Sequence, residues 1–505
     1  MIELEKTASI CPTCHEEGII EKIDAKIIEE NGKVYIVKEC KKHGSFKEIY
    51  FGDVSAYNKW MKYKVTGETV PDVKTKVFDE PAMYNEHKSQ SVLTTLIVTN
   101  RSDVKCNNSC FMNADEAGHV YEPNLDQIRD MLLQARTTLP VGSNALQITG
   151  GEPTIREDLF DIIMRAKEVG FSHVQINTNG LKISENVEYC EQLKKVGVNT
   201  IYLNFDGVTR DTNKLIDFNK NAIANLRRAD LKIALIAVLT ADKNLHESGK
   251  IIRFAINNMD VIRSINFRPV SFNGKKSKLS HEERNEQRLD YIKIFEVIEK
   301  EFDGQISRDD FYPVSAGFPI SKLLLLFKGE TQIEFTAHPC CGGATYIFID
   351  NGEPIPFTRF IDIEGMRDFI DKESRIVGPL KKIRIASAFL KDIDKFIDYD
   401  KAPSGFELKK IIKDAAVRSD YSSLRVLRNK SLLIESMWFQ DAFNLDANRL
   451  QRCVIHYTTP EGIVPSCSYE NLGIGNKILE KYSISIEEWE KKTGKKIKDD
   501  FIEVA

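Results

Sequence analysis

Ala145-Leu-Gln-Ile-Thr149-Gly-Gly-Glu-Pro153 runs from an apolar, strand-like segment straight into two glycines, a carboxylate and a proline. A strand buried in a parallel sheet is a near-continuous apolar run, and glycines at its end let a ligand approach the backbone. A tight turn capping a strand accounts for the short motif equally well, so its meaning depends on what surrounds it. Before it lie Leu96-Ile-Val-Thr99 and a helix opening near Asn124; after it lies a helix near Leu159–Val169. His173-Val-Gln-Ile-Asn177, Thr200-Ile-Tyr-Leu-Asn-Phe205, Lys232 through Leu239 and Ser264-Ile-Asn-Phe267 follow as strands, with helical patterns such as Asn186–Val196 and His246–Asn258 between them. Six strand–helix units predict an α/β fold whose right-handed crossovers curl a parallel sheet into a full or partial barrel. The active site of such a fold lies at the strand C-termini, where Thr149-Gly-Gly-Glu-Pro153 and Asn177-Thr-Asn-Gly180 both fall.

The 505 residues exceed what one core holds and predict two or more domains. The 71 basic and 75 acidic residues leave a net charge of −4, so no global field recruits nucleic acid or an anionic membrane. The first residues lack the basic and apolar regions of a signal peptide, and no apolar run is long enough to span a bilayer, which predicts a soluble cytoplasmic protein. In that compartment ten clustered cysteines point to thiols and metal ligands, not structural disulfides.

Cys11-Pro-Thr-Cys14 and Cys40-Lys-Lys-His43 flank a Val/Ile/Tyr-rich hairpin whose turn is Asn31-Gly32. Each tight loop offers two soft or borderline donors, so together they supply the tetrahedral set that a single zinc or iron requires. His43 precedes Gly44 and has the alternative role of shaping that turn. Residues 57–91 are polar and weakly periodic, a connector. Cys190 sits on an amphipathic helix as a small buried hydrophobe, Leu323-Leu-Leu-Leu-Phe-Lys328 is a buried helical run, and Glu487–Lys498 is a solvated helix without evident chemistry.

Thr99-Asn-Arg-Ser-Asp-Val-Lys-Cys106-Asn-Asn-Ser-Cys110-Phe-Met-Asn-Ala follows the first barrel strand. A cysteine loop there, with Gly-Gly-Glu-Pro after the second strand, resembles the radical S-adenosylmethionine (radical SAM) superfamily. The resemblance implies a partial (β/α)6 TIM-like barrel at 92–290, a small rubredoxin-like or zinc-ribbon module at 1–56, the connector, and a C-terminal α+β auxiliary-cluster domain at 291–505. It further implies a [4Fe-4S] cluster held through Cys106 and Cys110, with an open iron that chelates S-adenosylmethionine and cleaves it to a 5'-deoxyadenosyl radical. Gly150, Gly151 and Glu152, with Pro153, would line the methionine amino group, while Asn177, Thr178 and Asn204 would face the rest of the cofactor. The superfamily's loop has the spacing C-x-x-x-C-x-x-C. Here Ser102 stands four residues before Cys106, Cys110 comes one position late, and a second registration puts Asn113 at the third ligand position. A serine alkoxide or Asp103 is a poorer donor to iron than a thiolate.

Ala117-Gly-His-Val-Tyr-Glu-Pro123, Asn204-Phe-Asp-Gly-Val208, Asn266-Phe-Arg-Pro-Val-Ser271, His338-Pro-Cys-Cys-Gly-Gly-Ala-Thr-Tyr346 and Arg452-Cys-Val-Ile-His-Tyr457 with Cys467 resemble, more narrowly, the archaeal tetraether lipid synthases. That resemblance implies carbon–carbon bond formation between isoprenoid ether lipid chain ends and auxiliary clusters held by Cys341, Cys453 and Cys467, with Cys340 a further candidate. It also implies a low-potential electron donor such as ferredoxin and at most peripheral membrane contact. Two alternatives stand beside it. A radical SAM methyltransferase acting on a small substrate such as a tetrahydropterin needs a compact polar pocket where a lipid enzyme needs an apolar tunnel. A non-catalytic relative would follow from the missing loop cysteine.

Overall fold

The computed structural model describes residues 1–66, 88–104, 113–139, 141–317, 333–374, 384, 387–388, 391–407 and 430–502. Four antiparallel strands in sequential order, β1 (Ile2–Ile10), β2 (Lys22–Glu30), β3 (Lys33–Cys40) and β4 (Gly44–Phe51), form the N-terminal ribbon. Asn31 and Gly32 both adopt positive φ, 53° and 77°, as a two-residue hairpin turn requires. A helix over Val54–Met61, capped by Asp53, runs on into the stretch expected to be a connector. Its Trp60 packs on Phe51 at 5.2 Å and on Tyr291 at 5.4 Å, so the ribbon is bolted to the body by aromatic rings.

The body is one large sheet. β5 (Leu93–Thr99) is followed by a short β6 (His119–Val120), then β7 (Ala145–Gly150), β8 (His173–Thr178), β9 (Thr200–Asn204), β10 (Lys232–Leu239) and β11 (Ile262–Pro269). β5-β7-β8-β9-β10-β11 pair in parallel, the partial barrel that the strand–helix alternation predicts. Beyond residue 290 come β12 (Tyr312–Pro313), β13 (Gly342–Asp350), β14 (Glu353–Pro356), β15 (Ser431–Met437), β16 (Ile455–Thr459), β17 (Gly462–Pro465) and β18 (Ile484–Ser485). β15 joins in parallel beside β11 and β16 in parallel beside β5, so C-terminal residues extend the parallel run at both edges. Antiparallel β13 and β17 lie outside them.

The two faces of the sheet differ in chemistry. Leu146, Ile148, Val174, Ile176, Ile201, Leu203, Leu235 and Ile265 are wholly buried in the main core with helices such as Leu125–Arg136, Leu159–Val169 and Ser248–Ile256. The opposite, inner face carries Gln147, Gln175, Tyr202, Asn266 and Glu435, because successive strand residues point to opposite sides. Among the described residues no helix is long and apolar enough to cross a membrane.

Candidate metal and cofactor sites

The ribbon brings Cys11, Cys14, Cys40 and His43 together with all four ligand atoms within 4.8 Å of one another. Nδ1 of His43 is the ring atom that faces inward, 3.4 Å from Cys11 Sγ and 3.3 Å from Cys14 Sγ, while Nε2 lies 3.6 Å from a Glu17 carboxylate oxygen that fixes the ring. His43 therefore points at the thiols and does more than shape the turn. Cys11 also caps the helix Pro12–Glu16 through the Cys14 amide. Burial and then the neighbouring Cys11 and Cys40 thiols push Cys14 up to about 12, whereas the Lys42 amide leads in bringing Cys40 down to about 7. Thiols crowded this closely resist joint ionisation until a cation neutralises them, so the donor set fits a mononuclear metal.

At the strand ends, the glycines admit the chain itself. A Cβ on Gly150 would lie 2.0 Å from the Thr99 carbonyl oxygen, and one on Gly151 2.0 Å from that of Arg101. The Gly151 and Glu152 amides donate to those same two carbonyls at 2.8 Å, so the turn locks the entrance of the cysteine loop to β7. Pro153 opens a short 3-10 turn that Glu152 caps. Glu152 Oε1 accepts from the Thr154 amide and hydroxyl and from Thr178 Oγ1 at 2.8 Å, and Oε2 accepts from the Asn179 amide at 2.8 Å. Burial, then Asp103, raises this carboxyl to about 7. Glu152 and Thr178 thus spend their side chains tying β7 to β8. Asn177 differs: among the described residues its buried Oδ1 has no hydrogen-bond partner, and its Nδ2 has Thr149 alone, at 3.4 Å. An unanswered buried acceptor at a strand end fits a ligand that brings a cationic N–H donor. Asn204 is exposed at the end of β9.

Cys106 and Cys110 lie outside the described residues, as does Leu323–Lys328. The residues that could replace the missing cysteine are described, and each is committed elsewhere. The Ser102 hydroxyl donates to the Val104 carbonyl at 3.1 Å and accepts from the Val104 amide. Asp103 accepts from Asn179 Nδ2 at 2.7 Å, and Asn113 caps the helix Ala114–Ala117. The segment expected to be a chemistry-free helix latches this loop. In the helix Ile486–Thr493 the Trp489 indole donates to Glu122 at 2.9 Å and lies 4.5 Å beneath the Arg101 guanidinium, and the Ile502 amide donates to the Asp103 carbonyl.

Cys341, Cys453 and Cys467 come from three separate segments. Burial and then Cys341 raise Cys453 to about 11, and Cys467 is raised by burial and then by Cys453. Among the described residues these three thiols do not converge as the ribbon ligands do. Cys340 is turned toward Tyr50 within the aromatic core. Arg449, 1% exposed, uses Nη2 on the Trp438 carbonyl, leaves Nε and Nη1 without an acceptor among the described residues, and has the Cys341 thiol as a neighbour. His338 Nδ1 accepts from the Cys340 amide, so the neutral ring carries its proton on Nε2, which is also buried without a partner. Two buried side chains with unanswered N–H groups beside these thiols fit an anionic thiolate-held cluster.

The inner face supplies residues that the sequence did not mark. Gln175 donates to Gln147 at 2.9 Å, and Tyr202 stands on the same face of the neighbouring strand. Asn266 Nδ2 donates to Glu435 Oε1 at 2.7 Å, and Arg268 Nε donates to Asn266 Oδ1 at 3.4 Å. The available signal was a polar residue at every second position of otherwise apolar strands, as in Gln147/Thr149, Gln175/Asn177 and Asn266/Arg268.

Residues 3–52 match the HMPTM N-terminal zinc ribbon domain and residues 99–255 the radical SAM superfamily. The 7,8-dihydro-6-hydroxymethylpterin dimethyltransferase of Methanocaldococcus jannaschii is 38% identical over 503 residues, covering 96% of this chain and 97% of that protein. A probable GTP 3',8-cyclase of Saccharolobus solfataricus is 30% identical over 39% of this chain and 65% of its own. Streptococcus suis SuiB bound to S-adenosylmethionine aligns over 43% of this chain and 48% of its own, with 19% identity and a TM-score of 0.34. The superfamily's cofactors are S-adenosylmethionine and a [4Fe-4S] cluster, and its chemistry needs a reductant. These findings overturn the lipid-synthase reading. A full-length relative is a pterin dimethyltransferase, so carbon–carbon joining of isoprenoid chains, the ether-lipid substrate and the membrane contact expected with it lose their support. Shared ribbon and barrel motifs marked the superfamily, and they could not resolve the substrate.

Proposed function

The chain belongs to the radical SAM superfamily and, within it, to the family of the 7,8-dihydro-6-hydroxymethylpterin dimethyltransferase, and from that membership we propose that it is a radical SAM methyltransferase acting on a reduced pterin. The observation that carries the reading is end-to-end similarity to that enzyme, ribbon and C-terminal region included. The polar inner face of the barrel supports it, since a flat heterocycle rich in N–H and C=O groups needs fixed polar partners whereas a saturated chain needs none. When bound, the cluster and S-adenosylmethionine supply a carbon radical that takes hydrogen from an unactivated substrate position. This chain's residues do the rest. Asn177 offers an acceptor to the cofactor, Glu152 and the two glycines hold the loop entrance in place, and Cys341, Cys453 and Cys467 hold a further cluster. Electrons come from a low-potential donor such as a ferredoxin.

The test is anaerobic incubation of iron-loaded protein with S-adenosylmethionine, a low-potential reductant and 7,8-dihydro-6-hydroxymethylpterin, reading 5'-deoxyadenosine and pterin mass. Deoxyadenosine release that depends on the pterin is the expected result. Release unaffected by the pterin sinks the substrate, and no release from protein that carries its iron sinks the catalytic reading.

A further inference from the structure

Glu435 stands on β15 next to β11, and its register partner is Asn266. Their neighbours Ile265, Phe267 and Ile434 are buried toward the helices, so Asn266, Arg268 and Glu435 share the inner face near the C-terminal ends of their strands. Asn266 Nδ2 donates to Glu435 Oε1 at 2.7 Å, and Oε2 has no hydrogen-bond partner among the described residues. Glu435 is surrounded by protein yet remains partly accessible, as are Arg268 and Tyr202, so these side chains line a recess and are not sealed in a core. Arg268 and Tyr202 stand on the same inner face as Glu435, and beside them Gln175 on β8 donates to Gln147 on β7. Phe439 lies 5.4 Å below the Arg268 guanidinium, giving the recess an aromatic wall.

A carboxylate fixed through one oxygen, with the other left without a hydrogen-bond partner among the described residues, is an unusual thing to enclose. Enclosure penalises its charge, and one amide hydrogen bond answers only part of that penalty. A ligand with two parallel N–H donors answers the rest. The pyrimidine edge of a pterin presents that pair, the 2-amino group and N3–H, with an acceptor, the 4-oxo group, beside them. A carboxylate takes the two donors side by side, and a guanidinium supplies a donor to the oxo group. We propose that Glu435, braced by Asn266 and flanked by Arg268, is the specificity-determining carboxylate that receives the aminopyrimidine edge of the pterin. This rests on the pterin reading above and adds to it the wall of the barrel against which the ring is held, the β11–β15 edge. The strand β15 comes from beyond residue 290, so the C-terminal region contributes a substrate contact as well as cluster thiols.

The experiment is anaerobic equilibrium dialysis of the full, iron-loaded chain against 7,8-dihydro-6-hydroxymethylpterin and against the analogue in which oxygen replaces the 2-amino group. The wild type is expected to favour the amino form by at least about tenfold, since a carboxylate attracts an amino group and repels a carbonyl. Glu435→Gln is expected to lose about tenfold or more for the amino form and to lose most of the preference, with iron content and S-adenosylmethionine binding unchanged. Equal wild-type affinity for the two forms overturns the proposal without any variant. A Glu435→Gln protein that keeps the preference overturns it too. A wild type that binds neither form removes the pterin reading itself, which separates that failure from failure of the residue assignment.

Discussion

Glu152 is a motif residue whose carboxylate the protein itself holds on both oxygens. Its carboxylate accepts four hydrogen bonds from Thr154, Thr178 and Asn179, and burial still lifts it from 4.5 to about 7. A carboxyl raised on folding contributes stability that is fully present below about pH 4.5 and is lost as pH rises through about 7. The loss is on the order of 3 kcal/mol. Asp103 is raised too and adds to the same trend. Denaturant titrations at pH 5.5 and pH 8 are expected to find the wild type weaker at the higher pH and Glu152→Gln markedly flatter; matching pH profiles would contradict the assignment. The motif itself was legible in the sequence as a turn at a strand end. That its glycines face the Thr99 and Arg101 carbonyls was not, because pairing between loops depends on contacts distant in sequence. Arg449 poses the same problem, one arginine among many in the sequence and a wholly buried guanidinium with two unanswered nitrogens in the fold. Arg449→Met removes positive charge and N–H donors from beside Cys341, so the cluster proposed at Cys341, Cys453 and Cys467 is expected to become harder to reduce. Redox titration followed by electron paramagnetic resonance checks this, and an unmoved midpoint with full iron content would place the arginine elsewhere in the energetics.

Among the elements, the six barrel strands were legible because each is an apolar run followed by an amphipathic helix at short spacing. β15 and β16 were not. The partners of Ser431–Met437 and Ile455–Thr459, β11 and β5, lie more than a hundred residues earlier in the chain. Local patterning carries no information about such pairing. The C-terminal latch escaped for a related reason. Its helix is polar on nearly every face, and only Trp489 is buried. That one side chain, with β18 paired to β6, holds the segment against the flank of the cysteine loop. Trp489→Ala is expected to cost about 3–5 kcal/mol locally. The latch then opens, releasing Arg101 from its cation–π contact and Asp103 from Ile502. Iron quantitation should show loss confined to the barrel cluster, with ribbon metal retained. Unchanged iron and unchanged proteolysis of the segment after residue 483 would mean that the latch only decorates the loop.

At the scale of the whole molecule, the chain's beginning is held by residues near its end. Tyr50 donates to Asp446 Oδ2 at 2.6 Å, Thr7 donates to the other oxygen of Asp446, and the buried Lys38 ammonium donates to the Ala442 carbonyl at 2.7 Å. Arg288, from the segment after β11, pairs with Asp441 at 2.8 Å and reaches Glu48 on β4 at 3.3 Å. One short stretch, 441–449, therefore answers to the ribbon on one side and carries Arg449 beside Cys341 on the other. Cys341, Cys453 and Cys467 follow the ribbon ligands by roughly three hundred residues or more, and the sequence gives no hint that the stretch 441–449 lies between the two groups. Their mechanical connection has a consequence for metal removal. A small antiparallel ribbon has little core of its own, so stripping its metal is expected to loosen β1–β4. If the buried pairs transmit that loosening, hydrogen exchange measured after selective chelation should rise through 441–449 as well as through the ribbon, while the amides of β7 to β10 stay protected. Exchange confined to residues 1–56 would instead make the ribbon an independent module, with Lys38 and Arg288 no more than local fillings of a buried seam.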